Sequence, residues 1–259
     1  MNGILSIASG SLVGLSLGLI GGGGSILAVP LMAYVVGLSP HLAIGTSAVA
    51  VAASALVNLG GHARAHTVKW PCAVVFAVTG MAGAAIGAQI GKRVDGQALL
   101  AAFGILMIVV AGLMLRPRRV GHDRDVRLTR SSAARLLPPL AGTGFGVGAL
   151  SGFFGIGGGF LIVPGLISAT AMPLLNAIGS SLVSVSAFGA TTAVSYAASG
   201  FVAWRVAGLF VIGGMAGGYA GVQAAKALAA RKRLLAIVFS TVVALVGLYV
   251  TARGFARFI

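Results

Sequence analysis

The sequence predicts an all-α fold, a polytopic transmembrane helical bundle of two homologous halves. Three observations lead there. Hydrophobic residues make up 58% of the chain and charged residues 8%, which is too little polar surface for a water-soluble globule. Uncharged runs are long: no Asp, Glu, Lys or Arg precedes Arg64, and none lies between Leu136 and Trp204. One crossing takes about 20 residues, so each of these runs holds several. Finally, the chain repeats itself at a constant offset of 134 residues. Gly10, Gly14, Gly18, Gly21, Gly23, Gly24 and Pro30 answer Gly144, Gly148, Gly152, Gly155, Gly157, Gly158 and Pro164. Ala43-Ile44-Gly45 answers Ala177-Ile178-Gly179, and Trp70 answers Trp204, the only two tryptophans in the chain. Internal duplication at a fixed period marks a repeat architecture.

Each half opens on a long apolar segment interrupted by glycines and continues through three plainer helices. Trp70–Gly91, Gly96–Leu115, Val206–Ala225 and Leu234–Ala252 are uncharged runs close to one span each. Their length suits helices, since barrel strands alternate in polarity. Residues 1–115 form the first transmembrane repeat, 116–135 a basic connector and 136–259 the second repeat. The N-terminus lacks the basic start of a secretory signal and runs into more apolar sequence, which reads as a retained first helix.

The connector, Arg116–Arg135, holds seven arginines with Asp123 and Asp125, and the positive-inside tendency places it in the cytoplasm. Orientation of the halves depends on the glycine-broken segments. If each crosses once, the halves are parallel; if each in effect crosses twice, they are inverted. The inverted reading puts thirteen of eighteen Lys and Arg inside and the parallel reading twelve. Inversion is favoured because Lys226–Arg233 is the second densest cluster and because transporters often combine inverted repeats with broken helices at the site.

The broken segments carry the candidate site. In the first half it is Gly21-Gly22-Gly23-Gly24-Ser25, and in the second Gly155-Ile156-Gly157-Gly158-Gly159. Each glycine weakens a helix by about 1 kcal/mol relative to Ala, so such clusters break it. A helix restarting at Ser25 or Phe160 aims unpaired N–H groups and a positive dipole end at the break. All three acidic residues fall in loops, and no Lys or Arg lies within the predicted spans. An intramembrane anion site must then rest on amides, helix N-termini and hydroxyls. A cation site lacks its usual carboxylates. Thr46 and Ser47, answered by Ser180 and Ser181, are the hydroxyls expected to bind substrate oxygens. The plainer reading is that they bond their own helix backbone and let helices pack closely.

Other residues carry less. Gln89 and Gln223 are matched pathway candidates near helix ends, and His41 is a candidate for proton coupling or an interfacial residue beside Pro40. Trp70 and Trp204 fit interfacial anchors. Gly80, Gly83 and Gly87, with Gly214, Gly217 and Gly221, form small-residue faces for helix contact, with a homodimer as one outcome. The net charge of +15 does not indicate nucleic acid, because the basic residues sit in short stretches between spans. The glycine run lacks the Gly-Lys-Ser/Thr of a nucleotide loop. No catalytic constellation, metal cluster or cofactor motif stands out, and the single Cys72 excludes an intrachain disulfide.

With Gly18–Pro30 and Gly45-Thr46-Ser47 repeated as Gly152–Pro164 and Gly179-Ser180-Ser181, the chain resembles the sulfite exporter TauE/SafE family, also called the 4-toluene sulfonate uptake permease family. The resemblance covers nearly the whole chain. It implies a multi-pass bacterial cytoplasmic membrane transporter, an exporter of sulfite, organosulfonate or a related anion, driven by proton-motive force and working by alternating access. A passive anion channel uses the same backbone chemistry and stays open as the alternative.

Overall fold

The computed structural model describes residues 2–20, 22–115, 130–157, 159–227 and 232–255, and among these every regular element is helical. Helix α1 (Asn2–Ile20) ends at the first oligoglycine run. The chain resumes as a 3₁₀ turn (Gly22–Leu27), a short α2 (Ala28–Pro30) and a π-helical turn (Leu31–Val35). Three long helices follow: α3 (Pro40–Arg64), α4 (Trp70–Arg93) and α5 (Gly96–Leu115). The second half repeats the pattern with α6 (Arg130–Phe154), α7 (Gly159–Thr170), α8 (Leu174–Ala197), α9 (Trp204–Ala227) and α10 (Lys232–Phe255). Six helices among the described residues are long and apolar enough to cross a membrane.

Local chemistry sets several boundaries. Pro40 and Pro71 sit in the first turns of α3 and α4, where a missing N–H removes no helical bond. Asp95 Oδ1 accepts the N–H groups of Gln97 (2.9 Å) and Ala98 (3.1 Å) and so caps α5. After each broken segment the chain turns through a left-handed residue at the same repeat position, Gly37 (φ 82°) and Ala171 (φ 55°).

Helix partners are exchanged between the halves. A methyl group on Gly10 or Gly14 of α1 would strike the backbone of Phe210 or Gly214 in α9. One on Gly148 or Gly152 of α6 would strike Gly80 or Ala84 in α4. The sequence-predicted small-residue faces thus bring backbones into direct contact. Each repeat's first helix lies along the other repeat's helix, and the rising residue numbers on both sides mean that both pairs run parallel.

The central pairs run the other way. Gly45 faces Tyr196 while Gly189 faces Ala48 and Ala52, so α3 and α8 are antiparallel. Gly254 meets Ala101 and Ser240 bonds Ala111, so α5 and α10 are antiparallel too. Since α8 and α10 are the repeat equivalents of α3 and α5, the two halves are inverted. The broken segments close the geometry. Helices α6 and α8 both run with α4, as the Phe76–Phe188 ring pair at 6.1 Å and the Lys92–Ser195 bond show for α8. The chain must therefore return between α6 and α8, and α7 is the returning segment. Its 12 residues span about 18 Å, short of the roughly 30 Å hydrocarbon core.

This arrangement sets the α3–α4 turn, with Arg64 and Lys69, on one face together with the end of α5, the start of α6 and the end of α9. That face is called basic below. Small hydroxyl residues fill the interior, including Ser6, Ser9, Ser54, Ser184 and Thr192, and among the described residues no charged side chain is buried. Leu56, Val78, Val194, Ile212 and Leu245 stand exposed around the outside, as a lipid-facing belt requires.

Candidate functional site at the two glycine breaks

The two breaks lie in one place. A small cavity of about 10 Å³, room for roughly one water molecule, is lined by Leu17, Ser25, Val51, Ala55, Asn58, Gly159, Leu182 and Val185. Ser25 with Gly159 and Val51 with Val185 are repeat equivalents, so the cavity sits on the axis relating the halves. Its lining holds no acidic or basic side chain.

The breaks differ in form. The second opens through Gly155 (φ 67°) and Gly157 (φ 65°), left-handed values that an L side chain resists, before α7 begins at Gly159. Restart therefore comes one residue before the expected Phe160. The first break resumes at Gly22 as 3₁₀ turn, which carries Gly23, Gly24 and Ser25 in right-handed conformation. Gly21 and Gly158 lie outside the described residues. Space is as limiting as conformation: a Cβ on Gly155 would strike Ile44, and one on Gly157 would come within 2.7 Å of Val51 Cγ1.

Hydroxyls predicted beside the breaks are all buried, and most of their capacity is spent within the protein. Ser47 Oγ faces the carbonyl of Ile44 at 2.8 Å and that of Gly155 at 3.1 Å, so a helix of the first repeat holds the break of the second. Ser181 Oγ donates to the Ile178 carbonyl at 2.8 Å, the equivalent bond within its own helix. Thr46 Oγ1 accepts the Ala203 N–H at 3.0 Å, and Ser180 Oγ accepts the Lys69 N–H at 2.9 Å. Ser25 is buried at the cavity.

The remaining candidates stand apart. Gln89 and Gln223 are exposed on α4 and α9 and do not line the cavity. His41 begins α3 beside Phe201, ring centroids 5.3 Å apart, and its Nε2 is buried without a partner. Trp70 and Trp204 are exposed at their helix starts, as interfacial anchors should be. Sequence reasoning missed two features. One is Lys92, whose Nζ donates to the Ser195 carbonyl and Ser199 Oγ, both at 3.1 Å. The other is the buried hydroxyls of Ser151, Ser184 and Thr192, which lack partners. The repeat held a signal for the first, since Lys226 answers Lys92 at the same offset as the glutamines.

A duplicated, inverted helical bundle with two discontinuous helices meeting at its centre defines a class: a polytopic membrane transporter whose central cavity is lined without a charged side chain. Sequence comparison gives the family. The family described as Sulfite exporter TauE/SafE matches residues 6–250, and the chain belongs to it. A protein of Xylella fastidiosa (strain Temecula1) named "Probable membrane transporter protein" is 49% identical, over 99% of this chain and 97% of its own. "Probable membrane transporter protein YunE" of Bacillus subtilis (strain 168) is 30% identical, over 85% of this chain and 88% of its own. No solved structure matches the chain significantly. The protein is thus a membrane transporter and not an enzyme.

Proposed function

We propose that the protein exports sulfite, an organosulfonate or a related small sulfur oxyanion across a bacterial cytoplasmic membrane by alternating access, with the basic face inside. The anion is held between the breaks by backbone amides of Gly22–Gly24 on one side and of Gly155, Gly157 and Gly159 on the other, and Ser25 adds a hydroxyl. The observation that carries this reading is the shared cavity, where Ser25 and Gly159 from opposite repeats line one space without a charged side chain. Amides at helix starts stabilise an oxyanion without bringing a counter-charge into the membrane. At about 10 Å³ the cavity is collapsed around its axis, which fits a carrier that must open to load rather than a standing pore. A positively charged basic face agrees with a cytoplasmic orientation. His41, Gln89 and Gln223 are assigned to the pathway, and the apolar groove of about 580 Å³ between α1 and α9 is the proposed homodimer face.

The test is flux in proteoliposomes. Labelled sulfite should move saturably, and Gly157→Val should abolish that movement. Absence of saturable flux for sulfite and for a panel of sulfonates, or flux unaffected by Gly157→Val, would sink the reading. A thermal-shift screen over sulfite, sulfate, thiosulfate and sulfonates identifies the solute, since a ligand bound only to the folded state raises the melting temperature.

A further inference from the structure

Two turns close the bundle at its opposite faces, and they are built alike. Residues 65–69 join α3 to α4 on the basic face, and residues 198–203 join α8 to α9 on the other. The turns are repeat equivalents, and each passes through a left-handed residue at the same position, His66 (φ 54°) and Gly200 (φ 74°). Each is tied to the opposite repeat. Ser180 at the start of α8 accepts the Lys69 N–H, and Thr46 at the start of α3 accepts the Ala203 N–H. The residue before each hydroxyl is glycine for a matching reason: a Cβ on Gly179 would come within 2.7 Å of Thr67 Oγ1, and one on Gly45 would strike Phe201. Second ties repeat the scheme. Asn176 Nδ2 donates to the Thr67 carbonyl at 3.0 Å, and Lys92 holds Ser199.

Beneath the 198–203 turn lie polar atoms without partners. Tyr196 is fully buried with its hydroxyl unpaired, and Ser195 Oγ and His41 Nε2 are unpaired as well. The Phe201 ring packs against two of these side chains, 6.3 Å from the ring of Tyr196 and 5.3 Å from that of His41. Unsatisfied buried polar groups are costly, and they become satisfied once water or a polar solute reaches them. A seated turn over such groups is a closed door onto a polar passage.

We propose that residues 65–69 and 198–203 are the two gates of the transport pathway, each latched by a hydroxyl of the other repeat, Ser180 and Thr46 respectively, with both shut in this structure. This places Thr46 and Ser180 as gating residues rather than substrate ligands. The proposal rests on the alternating-access reading above, but not on which solute is carried. Because each latch joins the two repeats, rocking one half against the other strains one latch while seating the second, so the gates open in turn.

The experiment uses the full chain with Cys72→Ala and a reporter, Ser195→Cys, labelled by a membrane-impermeant thiol reagent applied to the face of the 198–203 turn. Thr46→Val should raise the labelling rate about fivefold, the population change that one hydrogen bond of ordinary net strength supports. Thr46→Ser should restore the original rate, and Ser180→Ala should leave it unchanged. Labelling at the original rate in Thr46→Val, or equal acceleration by Thr46→Val and Ser180→Ala, overturns the proposal. Should Thr46→Val fail to assemble, the cysteine pair Thr46→Cys with Ala203→Cys decides. Oxidation should stop flux and reduction restore it, and full flux in the cross-linked state overturns the gate. If gating behaves as expected while no sulfur oxyanion moves, the substrate assignment fails and the gates stand.

Discussion

Replacing Gly157 by alanine tests the second break directly. At φ 65° a side chain carries a left-handed penalty of about 1–2 kcal/mol. The added Cβ lies 2.7 Å from Val51 Cγ1, on a stiff β-branched side chain in a buried helix, and overpacking of this kind costs about 1–3 kcal/mol. Together these destabilise the fold by about 2–5 kcal/mol. At about 2–4 °C per kcal/mol for a chain of this size, the melting temperature falls by about 10 °C. The control is Gly146→Ala, inside α6 with no atom within 4 Å of the new methyl, where helix propensity predicts a gain of about 0.5–1 kcal/mol. Thermal unfolding in detergent, followed by tryptophan fluorescence, reads both. If Gly157→Ala melts with the wild type, or no lower than Gly146→Ala, the break is not held in the conformation described and the reasoning fails.

Further outcomes follow from the same architecture. Trp70 begins α4 on the basic face and Trp204 begins α9 on the opposite one, so each single-tryptophan variant should respond to an impermeant quencher from one side only, and the two sides should differ; quenching of both from the same side would refute inversion. Ala171→Gly should stabilise by about 0.5–1 kcal/mol in the same melting assay, because Ala171 holds φ 55° where its counterpart Gly37 is already glycine. Ser240→Ala removes a buried 2.6 Å bond to the Ala111 carbonyl that joins α10 to α5, and should lower stability by about 0.6–1.7 kcal/mol.

Much of the fold was legible because duplication repeats local chemistry. The paired tryptophans, Gly80 with Gly214 and the oligoglycine runs located the helices and breaks without reference to tertiary contacts. Orientation was harder. Charge counting separated inverted from parallel halves by a single residue, since five of the eighteen basic residues lie on the opposite face in the inverted reading and six in the parallel one. The register of Gly45 on Tyr196 and of Gly254 on Ala101 decided it, and that register belongs to helices far apart in sequence. The hydroxyl motif illustrates the same gap. Gly-Thr-Ser and Gly-Ser-Ser look identical under a ligand-binding or a packing reading, and only the fold shows that Thr46 reaches Ala203 while its twin Ser180 reaches Lys69. Lys92 escaped notice because its partners, the Ser195 carbonyl and Ser199, come from the other repeat.

The exchange of partners between halves also governs assembly. With α1 lying on α9 and α6 on α4, neither repeat buries its own glycine faces, so a half produced alone would leave the backbone grooves of Gly10–Gly14 or Gly148–Gly152 empty. Fragments 1–115 and 130–259 should each fail to persist in the membrane, yet recover a native-like bundle when produced together, because every missing contact of one is offered by the other. Biogenesis is then completed only after the last helices emerge from the ribosome, when α9 becomes available to a first helix that has waited in the lipid since the start of synthesis.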